Sequence, residues 1–254
     1  MDILFNILAV VICLAIGYIF GSIPTAVWVG KIFFHQDPRE LGSKNAGGTN
    51  AGRLWGKKVG LGIILFDMFK TIAPMWICWA ILTFIPWKDG AGLIAPIEEV
   101  NQFGLSKAYP VQYPVYWLAA LGCMIGHCWP IFAKFKGGKG VSCFMGTVCG
   151  ATWLVGLIPG LLYFVILKWK KYVSLASMLE SIICSVAAWI WFALCATKVI
   201  PCDLYKLPTY GPNLTLGLVY AIVVSVMSVI LIIRHRTNIA RLREGTERKI
   251  KWMK

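Results

Sequence analysis

Six stretches without a charged side chain, residues 3–30, 71–87, 114–133, 141–167, 181–197 and 214–233, constrain this chain more than any other feature. About 20 apolar residues in helix cross a hydrocarbon core of about 30 Å. A chain of 254 residues therefore suits about six or seven crossings. Hydrophobic residues make up 58% of the chain and charged residues 14%, with mean hydropathy +0.71. That balance is foreign to a soluble domain of this size. The expectation is one all-α integral membrane domain, residues 1–254. The first apolar run follows Asp2, where a signal peptide would carry positive charge, and it is too long for a signal core, so it reads as a retained span.

A net charge of +14 would suggest nucleic acid on a soluble protein. Here most cations flank apolar runs, so nucleic acid is not an expected partner and the bilayer is. Basic segments fall at 31–58, 134–140, 168–172 and 234–254; the loops 88–113 and 198–213 offset their few lysines with Asp89, Glu98, Glu99 and Asp203. The positive-inside rule puts the first set in the cytoplasm and the second outside. Nine cysteines contain no CxxC pair and mostly lie within apolar runs. They read as small buried hydrophobes, with neither a disulfide framework nor a metal site.

Basic segments bracket "VSCFMGTVCGATWLVGLIPGLLYFVIL" (141–167) on both sides. One straight helix of that length, about 40 Å at about 1.5 Å per residue, would put residues 168–171 and the tail on the wrong face. A hairpin is expected instead, turning at Gly156, Pro159 and Gly160 into two short helices of about 14 residues. The fold predicted is seven transmembrane helices, two of them short, with the amino terminus outside and the carboxyl terminus cytoplasmic. Asp67 and Lys70 are three apart on one face of the second span, and a site role and a structural ion pair weigh equally.

Polar content gathers in "LGSKNAGGTNAGRLWGKK" (41–58), "GHCWPIFAKFKGGKG" (126–140) and "RHRTNIARLREGTE" (234–247), all assigned to the cytoplasmic face. Glycine clusters let backbone N–H groups converge on an anion, and Arg53, Lys136, Lys139, Arg234 and Arg236 add charge, so a phosphorylated ligand is expected. No nucleotide P-loop occurs, since "GGKG" ends in Gly where Ser or Thr should hold magnesium, and HExxH, GxSxG and paired Asp motifs are missing. His35 and Glu40 echo an HxxxxD signature only by chance. His127 reads as a packing or loop-tethering histidine. His235, between Arg234 and Arg236, reads as a neutral imidazole able to accept a proton. The tail after Arg234 can form a short helix ended by Gly245, alternatively a polybasic lipid anchor.

"GSKNAGGTNAGRLWGKKVGLGIILFDMFK", "GHCWPIFAKFKGGKGV", "KKYVSLAS" (170–177) and "RHRTNIARLREGTE" resemble, in order, the signature blocks of the bacterial acyl-phosphate:glycerol-3-phosphate acyltransferase family, PlsY type. The resemblance implies a seven-helix enzyme of the bacterial cytoplasmic membrane, active site facing the cytoplasm. It would transfer a fatty acyl group from acyl phosphate to the sn-1 hydroxyl of glycerol 3-phosphate, giving lysophosphatidic acid and phosphate, with no cofactor or metal. Ser43, Arg53, Lys139, His235 and Asn238 match family positions that hold glycerol 3-phosphate or act in catalysis. Asn45, Gly47, Thr49 and Asn50, with Lys136, Gly137, Gly138 and Gly140, match the phosphate-binding surface. Where the family often reads G-S-G-N-x-G-A-T-N, Lys44 replaces a glycine and Gly48 an alanine, and Lys44 is expected to change loop flexibility. A transporter of a phosphorylated anion is the alternative, and a scaffold binding anionic lipid a third reading that leaves the asparagines and glycines unexplained.

Overall fold

A computed structural model describes residues 2–86, 92–95, 109–151, 153–199 and 217–250. Most of the two loops expected outside the membrane, with Cys202, lies outside the described residues. The described elements are helical: α1 Asp2–Gly21, α2 Thr25–Phe33, α3 Gly48–Trp55, α4 Lys57–Phe84, α5 Trp117–Cys128, α6 Val141–Ala151, α7 Trp153–Lys170, α8 Val173–Ala196, α9 Leu218–Arg234 and α10 Arg236–Arg243. Among the described residues there is no strand, only an isolated bridge between Ile94 and Val111.

Three helical segments are long and apolar enough to cross a membrane unaided: Ile3–Phe33, Lys57–Phe84 and Val173–Ala196. Leu218–Arg234 joins them when taken with Arg236–Arg243, which bends away by 56°. Large apolar side chains stay exposed on the outer faces, among them Ile3, Leu4, Phe69, Phe84, Val165, Ile190 and Ile233. So much exposed apolar surface is stable only against lipid. The chain is a membrane protein.

The first apolar run, which reads in sequence as one span, breaks between α1 and α2 at Ser22, Ile23 and Pro24. Proline offers no N–H to continue the helix. The Ile23 carbonyl left at the break accepts a hydrogen bond from Lys70 Nζ at 2.7 Å. Helix α1 lies so close to α5 that a Cβ on Gly17 would overlap the Ala119 carbonyl, and one on Gly122 the Leu14 carbonyl. Close backbone approach through small residues is how helices associate where no hydrophobic effect drives them together. The core lies between α4, α5, α6 and α9, where Met75, Trp117, Met124, Phe144, Val224 and Met227 are buried.

The hairpin at 141–167 takes a different division from the one expected. Its helices are unequal, 11 residues in α6 and 18 in α7, and Gly156, Pro159 and Gly160 lie inside α7 instead of forming the turn. The chain still returns: the start of α6 at Val141 and the end of α7 at Leu167 line one cavity. Pro159 costs only the hydrogen bond of one N–H, which a helix packed in a membrane bundle accommodates. Proline and glycine therefore fail here as turn signals.

Candidate active site

The starts of α4, α6 and α8 and the ends of α5, α7 and α9 gather at one end of the bundle around a cavity of about 1240 Å³. Lys57, Val141, Val173, His127, Leu167 and His235 mark those helix ends on its wall. One part of the wall is polar, and Leu61, Ile64, Leu65, Met68, Met145 and Phe164 form an apolar arm. Leu61, Leu65 and Phe164 are about half exposed, at 55%, 54% and 52%, so the arm faces lipid between α4 and α7.

Each polar loop is held by identifiable contacts. Asn50, buried at the start of α3, accepts from Ser43 N–H at 2.8 Å and donates to the carbonyls of Pro38, Leu41 and Asn45 at 2.8, 3.1 and 3.1 Å. Its amide is consumed in shaping the loop that carries Ser43, Asn45 and Thr49 to the cavity. Lys44 sits at φ 55°. Glycine adopts that left-handed conformation freely and lysine at a cost, which explains the glycine usual in the family pattern. At Gly48, a Cβ would meet Ile64 Cγ1 at 2.5 Å and Gly60 O at 2.7 Å, so here only glycine lets α3 lie on α4. Arg39 joins this segment to the next, pairing with Asp37 at 2.6 Å while donating to the Ala133 carbonyl at 3.0 Å.

The glycine loop before α6 rests on His127. Gly138 N–H donates to the His127 carbonyl at 3.0 Å, and a Cβ on Gly138 would overlap His127 Nε2. The carbonyls of Gly137 and Gly138 accept from Arg234 at 3.4 and 3.0 Å. Of the residues expected on the phosphate surface, Asn45, Gly47, Thr49, Asn50 and Gly140 line the cavity, whereas Lys136, Gly137 and Gly138 lie outside its wall. The two glycines instead let the loop pack tightly enough to point Lys139 inward. Arg236, His35 and Glu40 are also absent from the wall.

Ser43, Arg53, Lys139, His235 and Asn238 share the cavity. Lys139 Nζ donates to Asn238 Oδ1. Asn238 Nδ2 donates to Glu247 Oε1 at 2.7 Å; Ser174 Oγ donates to the same oxygen at 2.7 Å, and Arg241 faces Oε2 at 3.1 Å. Burial, with Arg241, Arg53 and Arg234 nearby, brings the Lys139 ammonium down to about 8, opposed by Glu247. His235 caps the end of α9, and its Nδ1 lies 2.8 Å from the Leu231 carbonyl. Because a carbonyl only accepts, that contact puts the proton on Nδ1 and leaves Nε2 with its lone pair. Burial first, with Lys139 and Arg234 adding to it, lowers His235 to about 4, so the ring is neutral near pH 7.

Asp67 and Lys70 pair at 2.8 Å in the interior, and Thr25 Oγ1 donates to the same Asp67 oxygen at 2.7 Å. With the Lys70 bond to Ile23, this pins the α1–α2 break to α4, a structural use of the pair; Asp67 and His127 nonetheless reach the cavity wall. Glu247, Ser174 and Glu180 carry little signal of their own in the sequence. Glu247 is legible there only as the acid of a basic tail, and Ser174 only within "KKYVSLAS". Glu180 lies further along α8, buried, with its Oε1 lacking a hydrogen-bond partner.

A family model described as glycerol-3-phosphate acyltransferase matches residues 11–245. The chain belongs to the glycerol-3-phosphate acyltransferase family. It is 32% identical over 244 residues to the glycerol-3-phosphate acyltransferases of Staphylococcus aureus strains RF122 and JH9, covering 96% of this chain and 99% of each relative. Among solved structures it is similar to PlsY (YgiH), an integral membrane glycerol 3-phosphate acyltransferase, in its glycerol 3-phosphate form, with TM-score 0.69 and 26% identity over 95% of this chain and 96% of that one. The lysophosphatidic acid form of the same protein gives TM-score 0.66.

Proposed function

We propose that this chain acylates glycerol 3-phosphate at its sn-1 hydroxyl with a fatty acyl phosphate, releasing lysophosphatidic acid and inorganic phosphate for phospholipid synthesis. The observation that carries the reading is one cavity in which Ser43, Arg53, Lys139, His235 and Asn238 meet at the mouth of an apolar arm open to lipid. Family membership and a solved relative captured in glycerol 3-phosphate and lysophosphatidic acid forms support the substrate and the product.

An acyl phosphate is already activated, because phosphate leaves readily. The enzyme therefore has to position two anions and offset their repulsion. In this reading Arg53, with Ser43 and the loop built by Asn50, clamps one phosphate. Lys139, steered by Asn238, faces the other, where negative charge grows as the bond from acyl carbon to phosphate oxygen breaks. Asn45, Gly47, Thr49 and Gly140 add backbone and side-chain donors. His235 Nε2 takes the proton of the sn-1 hydroxyl as its oxygen attacks the acyl carbonyl. Lys136, Gly137 and Gly138 act by seating the loop. The acyl chain lies along Leu61, Ile64, Met68 and Met145, and the lipid product leaves between α4 and α7.

We further assign seven crossings in a single domain, α1, α4, α5, α6, α7, α8 and α9, in the bacterial cytoplasmic membrane, with the amino terminus outside. The basic segments at 31–58, 134–140, 168–172 and 234–254 argue that the cavity faces the cytoplasm. Purified protein given labelled glycerol 3-phosphate and palmitoyl phosphate should form lysophosphatidate. No product, with counterflow of the label in liposomes, would replace the reading with transport.

A further inference from the structure

The family match ends at residue 245, yet the chain beyond it folds back over the site. Helix α10 stops at Arg243, and Gly245 at φ 70° reverses the backbone. A left-handed glycine is a common way to end a helix. The Thr246 and Glu247 N–H groups then donate to the Arg241 carbonyl at 2.8 and 3.1 Å. Ile250 closes the segment: its N–H donates to the Lys171 carbonyl at 2.8 Å, and its buried side chain packs with Leu167 and Ala176. Residues 246–250 thus form a strap between the ends of α7 and α10, and they bring Arg248 and Lys249 to the cavity wall.

The two cations are not equivalent. Lys249 Nζ lies 5.4 Å from the Tyr172 ring. That is a cation–π distance. Arg248 lines the same cavity as Arg53. Burial first, then the charge of Arg248, depresses the Arg53 guanidinium, with Glu247 opposing. Among the described residues no carboxylate lies within ion-pair distance of either guanidinium. Arg241 stands near by, with Glu247 as its partner. Two arginines on one cavity wall, neither held in an ion pair, suit an anion that accepts several hydrogen bonds, and phosphate has that geometry.

We infer that Arg248, held in place by the Ile250 anchor, is a second arginine on the phosphate clamped by Arg53. The inference rests on the acyltransferase reading, and the strap supplies from outside the matched family segment a ligand that reads in sequence as part of a polybasic tail.

Kinetics of the full chain in lipid vesicles test it, with glycerol 3-phosphate and palmitoyl phosphate each varied against a saturating partner. Arg248→Gln should raise KM about tenfold for one of the two substrates, the effect of losing one hydrogen bond to a charged group. The substrate affected identifies the phosphate that Arg248 holds. Arg248→Lys should recover part of the loss, keeping charge without the fork, and Ile250→Ala should raise the same KM by loosening the strap. Unchanged KM values for both substrates in Arg248→Gln, with an active wild type, would overturn the assignment. An inactive wild type would instead overturn the acyltransfer reading.

Discussion

The Lys139 ammonium should set the alkaline limit of the reaction. At about 8 it titrates well below an exposed lysine, because burial and the charges of Arg241, Arg53 and Arg234 outweigh Glu247. The ammonium is complete below that value and lost above it, so kcat/KM for glycerol 3-phosphate should fall about tenfold per pH unit above 8, to about one tenth at pH 9. His235, at about 4, stays neutral throughout this range. A phosphate monoester with a second ionisation near about 6 is already dianionic. The assay is initial-rate formation of lysophosphatidate between pH 6.5 and 10, with glycerol 3-phosphate far below KM so that the free enzyme is reported. Lys139→Arg should carry a limb-free profile, since a guanidinium keeps its charge. Arg241→Gln, which removes a like charge, should move the limb to higher pH. A wild-type profile flat from pH 7 to 9.5, or a limb that persists in Lys139→Arg, would refute the argument.

Arg53→Ala should lower kcat/KM at least about tenfold, the loss of one charge-assisted contact. The melting temperature should not fall below the wild-type value, because α3 packs through Ala51 and its glycines. Wild-type turnover in that variant removes Arg53 from the site. His235→Ala should slow turnover about 100-fold or more, the usual contribution of a general base; retention of most activity transfers the proton to an oxygen of the donor phosphate. Asp67→Asn leaves Lys70 buried without its counter-charge. That should cost about 3–5 kcal/mol of stability, read as a lower melting temperature in detergent. Lost activity with unchanged melting would make Asp67 a site residue instead of a structural one.

The membrane character and the three polar segments are legible in the sequence because hydropathy and charge act residue by residue along the chain. Their convergence is not, since it depends on which helix ends share one end of the bundle, and no single segment encodes that. The break at Pro24 hides inside an uncharged run because hydropathy is blind to a lost N–H. Pro159 gives the opposite error, a turn signal absorbed by a packed helix. The sequence points to a neutral His235 through its arginine neighbours; burial is the larger cause, and burial belongs to the tertiary fold. Glu247 escapes a linear reading because its value lies in three partners, Ser174, Asn238 and Arg241, from two separate parts of the chain.

Those partners also explain how a lysine can be both reactive and held. Glu247 fixes Asn238, and Asn238 fixes Lys139, so the ammonium is oriented by an amide while the carboxylate stays one residue removed. A carboxylate directly on Lys139 would raise its pKa but compete with the phosphate for the same charge. Relaying the contact through Asn238 keeps Lys139 available to an incoming anion, and Arg53 and Arg248, neither held in an ion pair, extend the same arrangement along the cavity wall. The cations repel one another, so in the proposed reaction the entry of phosphate relieves a repulsion already built into the folded protein. The cost of assembling that charge falls on folding, before either substrate arrives, which is the sense in which the proposed site is preorganised for two anions that would otherwise hold each other apart.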